Sequence, residues 1–460
     1  MLKDIMKQLP RFIKKPAKSF YGYIPEYIKQ GKIFRDKYSF LEKSQYWSKN
    51  KFEEYQMFQI RKLIEHAYST VPYYTNVFNE YGINPNQIQD FMDLKKIPYL
   101  TKKIIQDNLK ALVSTAYSRS QISYITTGGS TGIPMGLYID KSSASAIEYA
   151  FMYRQWERVG FNVHKINKSA ILRGNLPFKG VYEKIGNNLI LSSYQLTDKN
   201  MIEYVKLLEK FNPDFIQAYP SSINILSDFI LDNNLKVRLN NLKAILCGSE
   251  NIYDFQREKI ELAFNVRVYS WYGHTEECCL AGECEKSNNY HVFSEYGYTE
   301  LINKNGQDVT GEDEIGEIVA TGFNNYVMPF IRYKTMDLAI NTNQVCSCGR
   351  NYKLIKKIHG REQEQIITKD KSKIAMTSII FSQHFNAFGK IKMMQLVQNE
   401  MGKVLVKIIE KEKLNKADLS EISDKMRKAA YNSIDVEIKI VDNIERTKSG
   451  KYKFLIQNVN

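Results

Sequence analysis

Tyr124-Ile-Thr-Thr-Gly-Gly-Ser-Thr-Gly-Ile-Pro-Met135 is a run of three glycines and four Ser/Thr hydroxyls between two alternating apolar segments. Gly128, Gly129 and Gly132 permit positive φ angles and a close approach of the backbone to an anion, while the hydroxyls add donors. The flanking alternation predicts a loop between two strands, whereas the dinucleotide fingerprint opens a helix and a Walker loop ends in Lys-Ser/Thr. The stretch therefore predicts either a phosphate-binding loop or an ordinary glycine-rich hairpin.

The 460-residue chain is long enough for more than one domain. Its hydrophobic content of 43% and charged content of 25% are those of a soluble globular protein. No apolar run approaches the ~18 residues that a spanning helix needs. No apolar stretch like that of a signal peptide follows the N-terminal lysines, so we expect a cytoplasmic location.

The net charge is +15, from 65 Lys and Arg against 50 Asp and Glu. The excess is spread along the chain, which favours a lysine-rich solvated surface over a nucleic-acid-binding patch. Residues 1–40 are the exception, because basic and apolar side chains alternate there as in an amphipathic helix. Such a helix would contact the inner face of a membrane peripherally, although Pro10 and Pro16 are expected to interrupt it.

Residues 40–115 are predicted to be largely helical, with Val71–Tyr74 as an irregular connection. After the loop we predict helix Ser143–Trp156, strand Ala170–Leu172, helix Asp198–Lys210, strand Phe215–Ala218, helix Ser222–Leu231, strand Ala244–Leu246, helix Asp254–Phe264 and strand Val266–Tyr269. This alternation predicts βαβ crossovers and a largely parallel sheet. Hairpins are expected from Gly316, and from about Arg361 a compact unit of strands with one helix, Lys416–Ala430.

Three polar segments follow the predicted strands: Tyr219–Ser222, Cys247–Glu250 and Trp271–Glu276. In open parallel sheets, ligands bind outside the carboxyl ends of the strands. We therefore expect the functional site at this edge of the sheet.

All six cysteines lie in one part of the chain: Cys247, Cys278, Cys279, Cys284, Cys346 and Cys348. In a reducing compartment, clustering favours metal binding over disulfides. Cys284 and His291, six residues apart, together with Cys346 and Cys348 make a Cys₃His set, which is typical of closed structural zinc sites. Two alternatives stay open: an unrelated buried cysteine pair, or Cys278-Cys279 supplying one of the ligands.

Five motifs together resemble the adenylate-forming (acyl-adenylate synthetase) superfamily, within it the branch of phenylacetate-CoA ligases and CapK proteins of capsular polysaccharide clusters. They are the phosphate loop Thr127–Pro134, Tyr-Gly-x-Thr-Glu at Tyr272–Glu276, Tyr-x-Thr-x-Asp at Tyr333–Asp337, the Gly-Arg hinge at Gly360–Arg361 and Gly-Lys at Gly450–Lys451. Val71–Tyr74, Tyr219–Ser222 and Gly248–Glu250 are similar to this branch in particular. The resemblance covers about residues 45–455.

The resemblance implies an α/β fold with a large N-terminal domain, residues 1–360, that binds ATP and acid through parallel α/β subdomains and a β-rich subdomain. A small, mobile α+β C-terminal lid, residues 361–460, follows. By the same resemblance the ATP-binding residues are Thr127, Gly128, Gly129, Ser130, Thr131, Gly132, Ser249, Glu250, Tyr272, Gly273, Thr275, Asp337 and Arg361. Two residues are catalytic: Glu276, which helps to place Mg²⁺, and Lys451, which bridges the attacking carboxylate and the α-phosphate.

The chain departs from the family pattern at two positions. Met135 follows Pro134, where many members carry a lysine, and Gln363 stands two residues after the hinge arginine, where relatives usually have Asp. The first departure concerns neutralisation of the β and γ phosphates. The second concerns rotation of the lid and the use of coenzyme A.

The function implied is ATP-dependent activation of a carboxylic acid as an acyl-adenylate and its transfer to a thiol, amine or hydroxyl on coenzyme A, a carrier or a sugar, in surface polysaccharide biosynthesis. An alternative is an aryl- or acyl-CoA ligase of the phenylacetate type. An alternative of another class is a non-catalytic, zinc-stabilised basic protein that binds nucleic acid or a membrane. The cofactors implied for the enzyme are ATP, Mg²⁺, structural Zn²⁺ and, for the ligase, coenzyme A.

Overall fold

The structure is a computed structural model that describes residues 11–127, 135–172, 180–193, 196–249, 252, 254–360, 365–371, 373–375, 379–380, 387, 390–410, 412–444 and 455–459. The chain divides into two compact units. The larger contains Met1–Ile125, Gly136–Ser192 and Leu196–Gly360, and the smaller contains Thr126–Met135, Ser193–Gln195 and Arg361–Asn460. Motion of the smaller unit as a lid stays a prediction.

The larger unit contains helices α1 Arg11–Gly22, α2 Glu26–Lys29, α3 Gly31–Ser44, α4 Lys49–Thr70, α5 Pro72–Glu80, α6 Phe91–Leu94, α7 Lys102–Asp107, α8 Ala144–Glu157, α9 Asp198–Phe211, α10 Pro220–Asp232 and α11 Asp254–Phe264. The strands up to residue 360 are β1 Ile122–Thr126, β2 Gly136–Asp140, β3 Ser169–Leu172, β4 Tyr182–Ile185, β5 Asn188–Leu191, β6 Phe215–Ala218, β7 Ala244–Cys247, β8 Val268–Gly273, β9 Leu280–Cys284, β10 Ser287–Val292, β11 Gly297–Ile302, β12 Ile315–Gly322, β13 Tyr333–Asn341 and β14 Leu354–Gly360.

Twelve of these strands form one sheet in the order β11-β12-β13-β14-β10-β9-β8-β7-β6-β3-β5-β4. Strands β5, β3, β6, β7 and β8 pair in parallel. Every pairing from β8 to β11 is antiparallel, as is that of the edge strand β4 with β5. The α/β fold class is thus confirmed, and the parallel and β-rich parts share one sheet that changes pairing at β8.

The parallel half is covered by helices on both faces. Strands β6 and β7 are buried along their whole length, and apart from Gln217 their residues are apolar, as burial on both faces requires. Helices α9, α10 and α11 pack on one face, with Tyr204 and Ile260 in that core. Helices α3 and α8 pack on the other, where Phe34 and Phe151 lie against Phe215. Helix α9 is capped by Thr197 and ends before left-handed Asn212, so its length follows from local chemistry.

The structure corrects three local predictions. Val71–Tyr74 is not an irregular connection, because helix α5 begins at Pro72, and proline is favoured in a first turn, where its missing N–H is not needed. Pro16 lies inside α1 and does not end it. Strand β8 begins two residues later than predicted and runs to Gly273, so Trp271–Gly273 belong to the strand and not to the segment after it.

The smaller unit has its own core and sheet. It contains β15 Gln365–Ile367, β16 Lys373–Ala375, β17 Ile391–Glu400, β18 Lys403–Glu410, α12 Lys416–Ala429, β19 Asp435–Ile440 and β20 Leu455–Gln457. Strands β19, β18, β17 and β20 form a four-stranded sheet, and β15 pairs with β16. Ile422 and Met426 of α12 pack into the core with Val406 and Ile408 of β18. Asn415 and Asp418 form a capping box that begins α12.

Candidate active site and metal cluster

Two side chains from different strands meet where parallel pairing ends. The hydroxyl of Tyr272, near the end of β8, donates to Oδ2 of Asp337 on β13 at 2.8 Å. Burial, and then the neighbouring Asp337 carboxylate, raise the pKa of Tyr272 well above its ordinary value, so the phenol keeps its proton. The backbone N–H of Asp337 also donates to the hydroxyl of Thr335. The structure therefore brings together two predicted nucleotide-binding residues that lie 65 positions apart.

Glu276 lies in the turn after β8 between two polar neighbours. Its Oε1 accepts a hydrogen bond from the Tyr333 hydroxyl at 3.1 Å, and its Oε2 lies 3.4 Å from Nδ1 of His274. Burial alone would raise the pKa of Glu276, but hydrogen bonding and charge from His274 hold it below its ordinary value. The same contacts raise the pKa of His274 in spite of its burial. Glu276 is thus ionised, and carboxylate oxygens are ligands that suit a hard cation such as Mg²⁺. We call Tyr272, His274, Glu276, Tyr333 and Asp337 the carboxylate group.

The start of β13 is held by a buried ion pair. Arg332, with φ 51°, donates to the Glu300 carboxylate at 2.9 Å and to the carbonyl of Ile97 at 2.9 Å. Both partners of the pair are almost fully buried, so each depends on the other for compensation of its charge. This contact fixes the strand that carries Tyr333 and Asp337.

Two acidic residues that were not predicted from the sequence lie beside the carboxylate group. Oε2 of Glu148, on α8, accepts a hydrogen bond from the Tyr296 hydroxyl at 2.7 Å, and burial raises the pKa of Glu148. Glu277 has φ 55°, and burial, with Glu148 nearby, raises its pKa to about 8. The adjacent acidic pair Glu276-Glu277 was a visible signal, whereas nothing local marked Glu148.

The base of the glycine-rich loop is a hairpin. Strands β1 and β2 pair with each other, and the N–H of Thr127 donates to the carbonyl of Met135 at 2.9 Å. The N–H of Met135 in turn contacts the hydroxyl of Thr127 at 3.3 Å. The loop therefore joins strand to strand, as predicted. Gly128, Gly129, Ser130, Thr131, Gly132, Glu250, Arg361 and Lys451 lie outside the described residues.

The remaining predicted residues lie at the ends of β7 and β8. Ser249, just after β7, has φ 69°, a left-handed conformation that is unusual for serine and common at functional sites. A Cβ on Gly248 would lie 2.0 Å from Nε1 of Trp271, so only glycine allows the indole to lie across this backbone. Gly273 ends β8, and Thr275 is exposed in the following turn.

The four cysteine and histidine residues singled out for zinc converge on one point. The ligand atoms of Cys284, His291, Cys346 and Cys348 all lie within 4.8 Å of one another. Sγ of Cys284 is 3.5 Å from Sγ of Cys346, and Sγ of Cys348 is 3.3 Å from Nε2 of His291. Strands β9 and β10 supply the first two residues as a hairpin. We call these residues the cysteine–histidine cluster.

The surroundings of the cluster suit a metal. Nδ1 of His291 lies 3.2 Å from the carbonyl oxygen of Asn289, which leaves Nε2 directed at the cysteines. Burial, and then the charge of Arg158, lower the pKa of His291 to about 3, so the imidazole is neutral, as a ligand must be. Cys278 and Cys279 bond elsewhere, to a backbone carbonyl and to the Thr299 hydroxyl. The structure therefore does not place them as alternative ligands.

Comparison with known proteins identifies a consistent set of relatives. Residues 366–458 match the family model of the CapK C-terminal domain. The chain is 25% identical to Protein CapK of Staphylococcus aureus over 403 residues, 84% of this chain and 85% of the relative. It is 27% identical to the phenylacetate-coenzyme A ligase of Pseudomonas putida over 322 residues, 69% of this chain and 72% of the relative.

Solved structures share the fold. A 2-hydroxyisobutyryl-CoA ligase in complex with 2-HIB-AMP and CoA superimposes with a TM-score of 0.61 at 19% identity, covering 90% of this chain and 93% of the other. The same ligase in its postadenylation state gives a TM-score of 0.58.

Among the helices that the structure describes, none has the length and apolar character needed to cross a bilayer.

Proposed function

We propose that this chain, which belongs to the adenylate-forming ligases in the group that holds CapK and the phenylacetate-CoA ligases, activates a carboxylic acid with ATP. It would then transfer the acyl group to a thiol, and the thiol of coenzyme A is the first candidate. The observation that carries the proposal is the carboxylate group. An ionised carboxylate in the turn after β8 and an Asp held by a tyrosine face the sheet edge at which open α/β sheets bind ligands.

In the first half-reaction an oxygen of the acid attacks the α-phosphorus of ATP. The bond from that phosphorus to the bridging oxygen breaks, and pyrophosphate leaves with the electron pair. Asp337 would accept hydrogen bonds from the ribose hydroxyls, with Tyr272 holding its carboxylate in place. Lys451 would bring the two anions together. Because little covalent chemistry falls to the protein, positioning and charge compensation supply the rate enhancement.

Glu276 would hold Mg²⁺, which when bound offsets the charge of the phosphates. Tyr333 and His274 orient the Glu276 carboxylate, one at each oxygen. In the second half-reaction the thiol sulfur attacks the acyl carbon, the thiol proton is lost, and the bond from that carbon to the AMP oxygen breaks. The products are a thioester and AMP.

We further propose that the cysteine–histidine cluster holds a structural zinc. The four ligand atoms would complete the coordination of the metal, so no position would stay open for substrate or water. The zinc would contribute to stability, because it would tie the β9–β10 hairpin to the 346–348 segment. Strand β9 of that hairpin pairs with β8, which carries Tyr272. None of the six cysteines is in a disulfide.

A second candidate keeps the adenylation step and changes the acceptor. The match of residues 366–458 to the CapK C-terminal domain favours a hydroxyl or amine of a sugar or carrier in surface polysaccharide biosynthesis. Both candidates require ATP–pyrophosphate exchange that depends on a particular acid. Only the first requires AMP release that rises with added coenzyme A.

The test is pyrophosphate exchange with a panel of aryl, acyl and hydroxy acids, followed by AMP release with and without coenzyme A. Glu276→Gln should lower exchange by about 10², whereas exposed Glu54→Gln should leave it within a few-fold of wild type. Absence of exchange with every acid, in protein that is folded and binds ATP, would overturn the proposal. Exchange without stimulation by coenzyme A would favour the second candidate.

A further inference from the structure

The first described segment, α1 to α3, carries both buried and exposed apolar side chains. On the inner side Phe34 and Tyr38 are buried in the core beside α8. A surface helix of a water-soluble protein needs only one apolar face, because the opposite face is covered by water. Large apolar side chains that stay exposed on such a segment therefore call for an occupant.

The segment is firmly attached to the protein. The N–H of Tyr27 donates to the carbonyl of Val163 at 3.0 Å, and its ring contacts the His164 ring at a tilt of 38°, with centroids 4.2 Å apart. Gly22 meets Gly186, the turn between β4 and β5, so closely that a Cβ on Gly186 would lie 2.6 Å from Cα of Gly22. The outer side chains are consequently held at a fixed surface.

Four large apolar residues remain exposed on this segment. Phe20 is 73% exposed, Ile28 58%, Tyr23 46% and Ile33 42%. They fall within fourteen consecutive positions. Single exposed apolar residues are ordinary, but a concentration of aromatic and aliphatic side chains marks an interaction surface. We call these four residues the outer row.

The charge around the outer row identifies the occupant. Residues 11–43 contain nine Lys and Arg against three Asp and Glu. The side chain of Lys32 is 80% exposed, and its ammonium group forms an exposed ion pair with Asp36. A second copy of this chain would bring the same positive charge to the contact. An anionic bilayer instead offers an apolar interior for the row and negative headgroups for the lysines.

We propose that the outer row and its flanking lysines and arginines dock this enzyme on an anionic membrane surface. The aromatic and aliphatic side chains enter the boundary between headgroups and acyl chains, and the basic side chains contact the headgroups. The body of the enzyme stays in water, so that substrates reach its ligand site from the aqueous side. This inference does not depend on the identity of the acid or of the acceptor.

The experiment is co-sedimentation of the full chain with two kinds of vesicle. One contains phosphatidylcholine alone, and the other contains about 30% phosphatidylglycerol, which makes its surface anionic. We expect binding to the anionic vesicles that weakens when salt rises, since screening shortens the range of the headgroup charge. Phe20→Glu/Ile28→Glu should lower the bound-to-free ratio at least about tenfold. Lys18→Gln and Lys32→Gln should each lower it about fivefold.

The matched control is Met92→Glu/Leu262→Glu, which replaces two residues that are 66% and 71% exposed elsewhere in the larger unit. This control should bind vesicles like wild type, and both double variants should melt like wild type because all four positions are exposed. Equal loss in the two double variants would overturn the proposal, as would equal binding to neutral vesicles. Sedimentation velocity adds a further outcome: a wild-type dimer that Phe20→Glu/Ile28→Glu dissociates would assign the surface to self-association instead.

Discussion

The cysteine–histidine cluster and the carboxylate group occupy one sheet and are built in opposite ways. In the cluster, four ligand atoms converge within 4.8 Å of one another. In the carboxylate group, the polar atoms lie 2.8 to 3.4 Å from separate partners on β8, β13 and the turn between β8 and β9. Soft sulfur ligands that point at each other leave no position for a substrate, whereas oxygens oriented one by one can face a ligand. The difference predicts that the cluster supports stability and the carboxylate group supports catalysis.

Loss of a ligand of the cysteine–histidine cluster should have the largest effect, and this effect should be a loss of folding stability. Cys346→Ser should lose the metal and lower the melting temperature by well over 10 °C, since a structural zinc contributes several kcal/mol or more and each kcal/mol is worth about 2–4 °C in a chain of this size. Metal analysis and calorimetry measure both effects. Cys247→Ser should keep the metal. Less than about half an equivalent of zinc in wild type, purified without chelator, would contradict the cluster's proposed role.

Lys451→Ala should have the next largest effect, and on chemistry alone. A charge-assisted contact made only while the adenylate forms is worth several kcal/mol in a closed site, so adenylation should fall by roughly 10²–10³ with unchanged melting. Transfer from a chemically supplied acyl-adenylate should survive. Lys448→Ala and Lys453→Ala are the controls in the same stretch. If all three variants behave alike, Lys451 is an ordinary solvated lysine.

Tyr272→Phe should have a moderate effect on nucleotide binding. It removes the donor that holds Asp337 at 2.8 Å, and a hydrogen bond to a charged group contributes about 1.5–3 kcal/mol. We expect KM for ATP to rise about tenfold or more, with a smaller change in KM for the acid. Pyrophosphate exchange at varied ATP measures the split. A rise confined to the acid would assign Tyr272 to the acid pocket.

Glu148→Gln should have the smallest effect, on the pH dependence of stability. Burial raises the pKa of Glu148 above its ordinary 4.5 in the folded state, so the native protein holds a proton that the unfolded chain releases. Stability from this group is therefore complete below 4.5 and falls as pH rises through the folded value. Gln keeps an acceptor for the Tyr296 hydroxyl and cannot ionise, so it should flatten that fall as pH rises above 4.5.

Urea unfolding at several pH values measures this change, with exposed Glu80→Gln as its control. A wild-type pH profile in Glu148→Gln would show that the carboxyl is ionised in the native protein. In that case a cation or a solvent path near Glu148 compensates its charge. The contrast between the cysteine–histidine cluster and the carboxylate group would then be tested by Cys346→Ser, Lys451→Ala and Tyr272→Phe alone.

Local spacing predicted the parts of each site that lie close together in the chain. The Cys-x₆-His spacing works because strands β9 and β10 form a tight hairpin, and the hydroxyl-rich loop lies between two strands. Predicted helix and strand ends were mostly within one or two residues. At Pro16, where proline was taken to interrupt a helix, the structure keeps the helix, whereas at Pro72 a new helix begins after α4 has ended at Thr70. Position within the helix and packing decide such cases, not residue type alone.

The sequence by itself determined most helices and strands from α8 to β8, with β4 and β5 excepted, together with the glycine-rich hairpin and the zinc-type ligand set, since these depend on periods and spacings of a few residues. Only the tertiary structure decided that Glu148 meets Tyr296 across 148 residues and that Tyr272 meets Asp337 across 65. It also decided that parallel and antiparallel strands continue as one sheet through β8. The physical reason is that sheet order sets which distant side chains share an edge, and burial then sets their pKa.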